Sequence, residues 1–152
     1  MTVCIAAIAE SGKRLILAAD NMINIPIGNT INFQKEDKNH KKIYRLNENV
    51  YALAAGALHT ITPVMRETEK AMGPKSSPLD VANIMRRKLQ DFYLQKTEEE
   101  VLMKVNYTWD FFKNKQQQIN QIILNDLYEK INKFNLDIQV IVAGYSPVVQ
   151  NW

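Results

Sequence analysis

The chain has one cysteine, Cys4, in 152 residues, which excludes an intrachain disulfide framework and fits a reducing compartment. No apolar run approaches the roughly 18 residues that a membrane span needs. The N-terminus lacks a basic region followed by an apolar stretch and a cleavage site, so no secretory signal is visible and the cytoplasm is the expected location. Histidine is scarce too: His40 and His59 have no Cys, His or acidic partners at metal-ligand spacing, so neither a metal nor a cofactor is expected. One-sided charge is also missing. The net charge is +3, and basic residues alternate with acids, as in Lys35-Glu36-Asp37-Lys38, so no nucleic-acid patch stands out. What remains is 46% hydrophobic and 23% charged, the composition of a globular chain long enough to bury one core.

Strand signals come first. Residues 2–9, TVCIAAIA, are apolar on both alternating faces and predict a strand buried between two layers. Glu10-Ser11-Gly12-Lys13 is a turn, and 14–19 predicts a second buried strand. Residues 21–41 are polar, with Pro26, Gly28 and several Asn, and read as a long irregular excursion. Segments 43–46 and 50–55 predict another hairpin around Asn47-Glu48-Asn49.

Helical spacing then takes over through Leu58, Ile61, Met65 and Met72, with Pro63 placing the helix start close to itself. Ser77-Pro78-Leu79-Asp80 is an N-terminal helix signature: a capping serine, proline at the first position and an acid at the third. From Thr97 to Phe134 an apolar period runs without Gly or Pro, predicting one long helix or two nearly continuous ones. Residues 137–143, DIQVIVA, predict a last strand. Strands, helices and a strand again argue for α+β layers.

Four residues assemble one chemistry. A threonine hydroxyl needs a base within reach to become a nucleophile. If Met1 is removed, Thr2 carries both hydroxyl and α-amine, whose ordinary pKa of about 7.7–8.0 leaves part of it neutral near pH 7. The Lys42 ammonium would push that amine down, and Asp20 could hold Lys42 in place. The N–H of Gly56, where strand becomes helix, suits an oxyanion. Each residue also has a plainer role: Thr2 as a strand start, Asp20 as a turn acid, Lys42 as a solvated cation and Gly56 as a site of close packing. Cys4, on the same strand face as Thr2, reads as a small buried side chain, and the aromatics Tyr107, Trp109, Phe111 and Phe112 as helix packing.

TVCIAAI, LAAD at 17–20, the KKI run before the second hairpin and AAG at 54–56 resemble successive motifs of proteasome β-type subunits and their bacterial homologues, including the Anbu family. The resemblance covers residues 2–60. It implies an N-terminal-nucleophile (Ntn) hydrolase αββα sandwich of antiparallel sheets, with Thr2 as nucleophile, Asp20 and Lys42 as the acid and lysine, and Gly56 as the oxyanion glycine. It implies a threonine-type peptidase acting on peptides or unfolded proteins in a homo-oligomeric ring, with no nucleic acid and no membrane. Against the family, residues 21–41 are an inserted loop and 97–134 a helical insertion in a single domain. The position of a supporting serine falls near Asp137. The family's later hairpin and helices have no counterpart before Trp152, so the resemblance implies a sandwich incomplete at its C-terminal end. A non-catalytic ring or scaffold subunit, or a small-molecule amidase or acylase, are the alternatives.

Overall fold

The computed structural model describes residues 3–20, 22–27, 31–36 and 41–146, the strands 22–27 and 31–36 by their backbone alone. The fold is α+β. The chain forms two compact units, one of Met1–Met85 with Asp137–Trp152, the other of Arg86–Leu136.

In the first unit, β1 (Cys4–Ala9) and β2 (Arg14–Ala19) form an antiparallel hairpin in the register Cys4↔Ala19 to Ala9↔Arg14. Its turn places Glu10, Ser11 and Gly12 at positive φ, the conformation such tight reversals demand. Residues expected to be an irregular excursion instead form a second hairpin, β3 (Met22–Ile27) and β4 (Ile31–Glu36), in the register Met22↔Glu36 to Ile27↔Ile31. Isoleucine at 23, 25 and 27 alternates with other residues, and that two-residue period outweighs the turn signals of Asn24 and Pro26. Proline is compatible with such a strand because both strands of a two-stranded sheet are edges.

A three-stranded antiparallel sheet, ordered β5 (Ile43–Arg45), β6 (Val50–Gly56), β7 (Ile138–Gly144), packs against β1 and β2. Ala52, Leu53 and Ala54 of the central strand are all buried. Successive side chains point to opposite faces, so β6 is covered on both. Helix α1 (Leu58–Ala71) follows directly and buries Thr60, Ile61, Val64, Met65 and Thr68. It starts at Leu58, well ahead of Pro63. The first N–H groups of a helix have no intrahelical acceptor, and Ala57 supplies its carbonyl to Thr60 and Ile61 (both 3.0 Å). Pro63 therefore removes one bond inside the second turn without ending the helix.

Two-sided burial of β1 and β2 is not found. Ile5, Ile16 and Val3 are 52%, 53% and 44% exposed, while Cys4, Ala6, Leu15 and Leu17 on the opposite face are half-buried. A strand apolar on both faces is thus covered on one.

Helix α2 (Pro78–Thr97) begins as its sequence predicts. The Asp80 N–H donates to Ser77 Oγ (3.2 Å) and the Ser77 N–H to an Asp80 carboxylate oxygen (3.0 Å), a reciprocal cap that satisfies two otherwise orphaned donors. Through Met85 it belongs to the first unit, and from Arg86 to the second.

Over 97–134, where one long helix or two nearly continuous ones were expected, the second unit has two helices preceded and separated by short turns. A π turn at Glu98–Leu102 and a 3₁₀ turn at Met103–Val105 end at Asn106, which is left-handed with φ 59°. Two helices follow, α3 (Trp109–Asn114) and α4 (Gln121–Lys133). Each has its own cap: Thr108 Oγ1 accepts from Phe111 N–H (3.2 Å) and Asn120 Oδ1 from Ile122 N–H (2.9 Å). The unit closes on Val101, Leu102, Phe112, Ile119 and Leu127, flanked by half-buried aromatics. The Trp109 indole N–H donates to the Leu94 carbonyl (2.7 Å) and the Tyr93 hydroxyl to that of Ile131 (3.1 Å), so each half-buried ring keeps its polar end satisfied.

Candidate functional site

The candidate site is where β2 ends and β5 begins. Asp20 is held at the end of β2 because its backbone N–H donates to the Val3 carbonyl (3.1 Å), adding a rung to the β1–β2 ladder. Lys42 precedes β5, and its carbonyl accepts from the Ala54 N–H (2.9 Å). Across the interval between the sheets, Lys42 Nζ pairs directly with Asp20 Oδ1. The Lys42 side chain is only 8% exposed and that of Asp20 24%. A cation so withdrawn from water persists only with a partner, and the hydrogen bond from Lys42 holds the Asp20 carboxyl below its usual range.

Cys4 reaches the same place. Its Sγ donates weakly to the Ala54 carbonyl (3.8 Å). Burial pushes its thiol up, against the opposing pull of Lys42. A thiol held protonated is a small packing group, not an activated nucleophile.

Gly56 ends β6 at φ +120°. A Cβ there would lie 1.8 Å from the Asp137 carbonyl oxygen, which itself accepts the Ala57 N–H (3.0 Å). No side chain fits so close an approach. The ladder also fixes which way Gly56 points. Odd positions of β6 and its extensions bond toward β7, as in Tyr145 N–H to Asn49 C=O (2.9 Å) and Ala57 N–H to Asp137 C=O. Even positions bond toward β5, as in Leu46 N–H to Val50 C=O (3.0 Å) and Ala54 N–H to Lys42 C=O. In a trans peptide the N–H opposes the preceding carbonyl. The Gly56 N–H is therefore directed to the β5 side, one ladder repeat beyond Lys42.

Asp20, Lys42 and Gly56 thus sit around one strand-end region of the first unit, whereas Thr2 lies outside the described residues. Val3, next to it in sequence, is tied to Asp20. Asp137 is present near the site through its carbonyl, at φ 49°, while its residue as a whole is exposed. Its backbone role at Gly56 was not legible in the sequence; a positive φ at an aspartate before a strand leaves no compositional mark. Among the described residues no group of His, Cys, Asp and Glu could hold a metal ion, and no helix is long and apolar enough to cross a membrane. No protein-family model and no curated protein matches the chain.

Proposed function

We propose that the chain is a threonine-type Ntn hydrolase resembling proteasome β-type and Anbu-like proteins, cleaving peptide bonds within a homo-oligomeric ring. The observation that carries this reading is the Lys42–Asp20 pair, nearly withdrawn from solvent and one ladder repeat from the Gly56 N–H on the β5 side. A solvated surface lysine has no need of such a partner. The αββα sandwich belongs to the same reading. It is supported by two stacked antiparallel sheets, by α1 and α2 following β6, and by an apolar outer face on β1 and β2 of the kind a further layer would cover.

In the mechanism that follows, removal of Met1 leaves Thr2 with a free α-amine, which the Lys42 ammonium would keep neutral. The amine takes the proton of Thr2 Oγ1 as that oxygen attacks the scissile carbonyl carbon. The Gly56 N–H stabilises the oxyanion. Collapse breaks the C–N bond, and the leaving amine takes the proton back, leaving an ester on Thr2. Water, deprotonated by the Thr2 α-amine, then attacks the ester carbon; the C–O bond to Thr2 breaks, the acid leaves, and the α-ammonium returns the proton to Oγ1. Asp20 acts through Lys42 as a positioning residue.

The test is hydrolysis of fluorogenic peptides and of a small acyl amide by the wild type and by Thr2→Ala, Lys42→Ala and Lys42→Arg. Each variant is expected to lose activity by about 100-fold or more, the scale of a general-base contribution, and arginine to fail because a planar fork does not replace a compact ammonium. Cleavage of the small amide alone would favour the amidase or acylase reading. Ring assembly with no turnover would favour a scaffold subunit, and normal turnover by Lys42→Ala would remove the lysine from the mechanism.

A further inference from the structure

Hydrogen-bond direction leaves one long strand edge of the first unit open. In the β6–β7 ladder Tyr145 bonds to Asn49 and Ala57 to Asp137, and bonded pairs of an antiparallel ladder recur at every second residue. The odd residues of β7 therefore bond to β6. The N–H and C=O groups of Ile138, Val140, Val142 and Gly144 point the other way. Among the described residues no strand pairs with that side. Exposed edges are ordinarily protected by shortness, charge or proline. β5, at the far end of the same sheet, has three residues and ends in Arg45. β7 has seven residues, none of them charged and none proline. Ile141 and Tyr145, at odd positions and so on one face of the strand, are 41% and 39% exposed. β1, which packs on β6 and β7 from the other sheet, is also uncharged.

We propose that this edge binds the β7 of a second copy of the chain, antiparallel across a two-fold axis at Ile141. The outward groups fix that register. With the axis at Ile141, Val140 opposes Val142 of the second copy and Ile138 opposes its Gly144, each pair occurring twice. All four outward residues of each strand then exchange both bonds, two in each of four pairs and eight in all. An axis at Val140 or Val142 leaves three such pairs. Ile141 meets its own counterpart in a non-bonded pair, the closer kind at about 4.5 Å between Cα atoms, which covers a side chain now 41% exposed. The composition of the strand suits its own copy as partner. No residue of β7 meets a like charge, and the β-branched Val140, Ile141 and Val142 stand against one another at the centre. The two three-stranded sheets become one of six strands. Such a contact is isologous, unlike the head-to-tail contacts that close a ring, and it stands apart from the proposed hydrolysis.

The test is cross-linking of the full chain. In a Cys4→Ala background, Ile141→Cys is expected to form an intermolecular disulfide under oxidised glutathione, because its counterpart lies within the Cα separation a disulfide spans. Gln139→Cys is expected not to, because its counterpart lies four residues along the paired strand, about 13 Å away. In sedimentation velocity, Ile141→Lys sets two ammonium groups face to face at the axis and is expected to weaken association about 10-fold, with far-UV circular dichroism checking that it folds. Amide exchange at Ile138, Val140, Val142 and Gly144 is expected to slow as protein concentration rises, while Gln139, Ile141 and Ala143 stay protected throughout. No cross-link at 141, equal cross-linking at 139 and 141, or association unchanged in folded Ile141→Lys would each overturn the proposal. So would outward amides already protected in dilute monomer, which would place another segment on the edge.

Discussion

Replacing Asp20 with asparagine keeps the shape of the strand end and removes the charge that faces Lys42. The ammonium is then left 8% exposed without its carboxylate. Breaking a fully buried pair costs about 3–5 kcal/mol, and the 24% exposure of Asp20 lets water soften that to roughly 1–3 kcal/mol. The effect has a pH signature. Lys42 depresses the folded-state pKa of Asp20, so the pair contributes stability fully above the unfolded value of about 3.9, and loses it as pH falls through the depressed folded value. The wild type should therefore exceed Asp20→Asn at pH 7, and the gap should close under acid. Of the two tryptophans Trp109 belongs to the second unit and Trp152 to the first, so tryptophan fluorescence does not isolate the pair. Hydrogen exchange of peptides spanning Arg14–Asp20 and Lys42–Arg45 reads the pair directly, and 1–3 kcal/mol there corresponds to roughly 5- to 150-fold faster exchange. Unchanged exchange at pH 7, or a gap that persists undiminished at low pH, would refute the pair's structural role.

Gly56→Ala should destabilise the first unit by at least about 2 kcal/mol, because the added Cβ meets the Asp137 carbonyl at 1.8 Å and the backbone is at positive φ. Thermal unfolding followed at 218 nm would show it, and an unshifted melt would mean that the β6–β7 junction is looser than described. The double variant Ile5→Thr/Ile16→Thr should change stability by no more than about 0.5 kcal/mol per site, since both side chains are more than half exposed, yet reduce self-association in sedimentation velocity. A melt lowered by many degrees would show that this face is buried in the working protein.

How much of this was legible depended on which physical signal dominated locally. The hairpins at 4–19 and 43–56 declared themselves through apolar runs bounded by turn residues, and the α2 start through a serine and an aspartate at capping distance. The β3–β4 hairpin was hidden because Pro26 and the asparagines carry loop chemistry, while its isoleucine alternation is short. The breaks in 97–134 were hidden for the opposite reason. An unbroken apolar period continues through Asn106, Thr108 and Asn120 and masks residue types that favour a left-handed stop and two caps. The bare outer face of β1 and β2 could not be read at all, since alternation tells which residues share a face but not whether a layer lies on it. At the site, the sequence interval between Asp20 and Lys42 says nothing of distance. It is the stacking of the two sheets that closes it.

The claim that Thr2 is the nucleophile is tested most directly by peptide mass spectrometry after exposure to an electrophile that needs both a hydroxyl and a free α-amine on one residue. The account predicts an N-terminal peptide beginning at Thr2, without Met1, carrying one adduct that is absent from Thr2→Ala and strongly diminished in Lys42→Ala. An N-terminal peptide that retains Met1 or is acetylated, with no adduct, would contradict it.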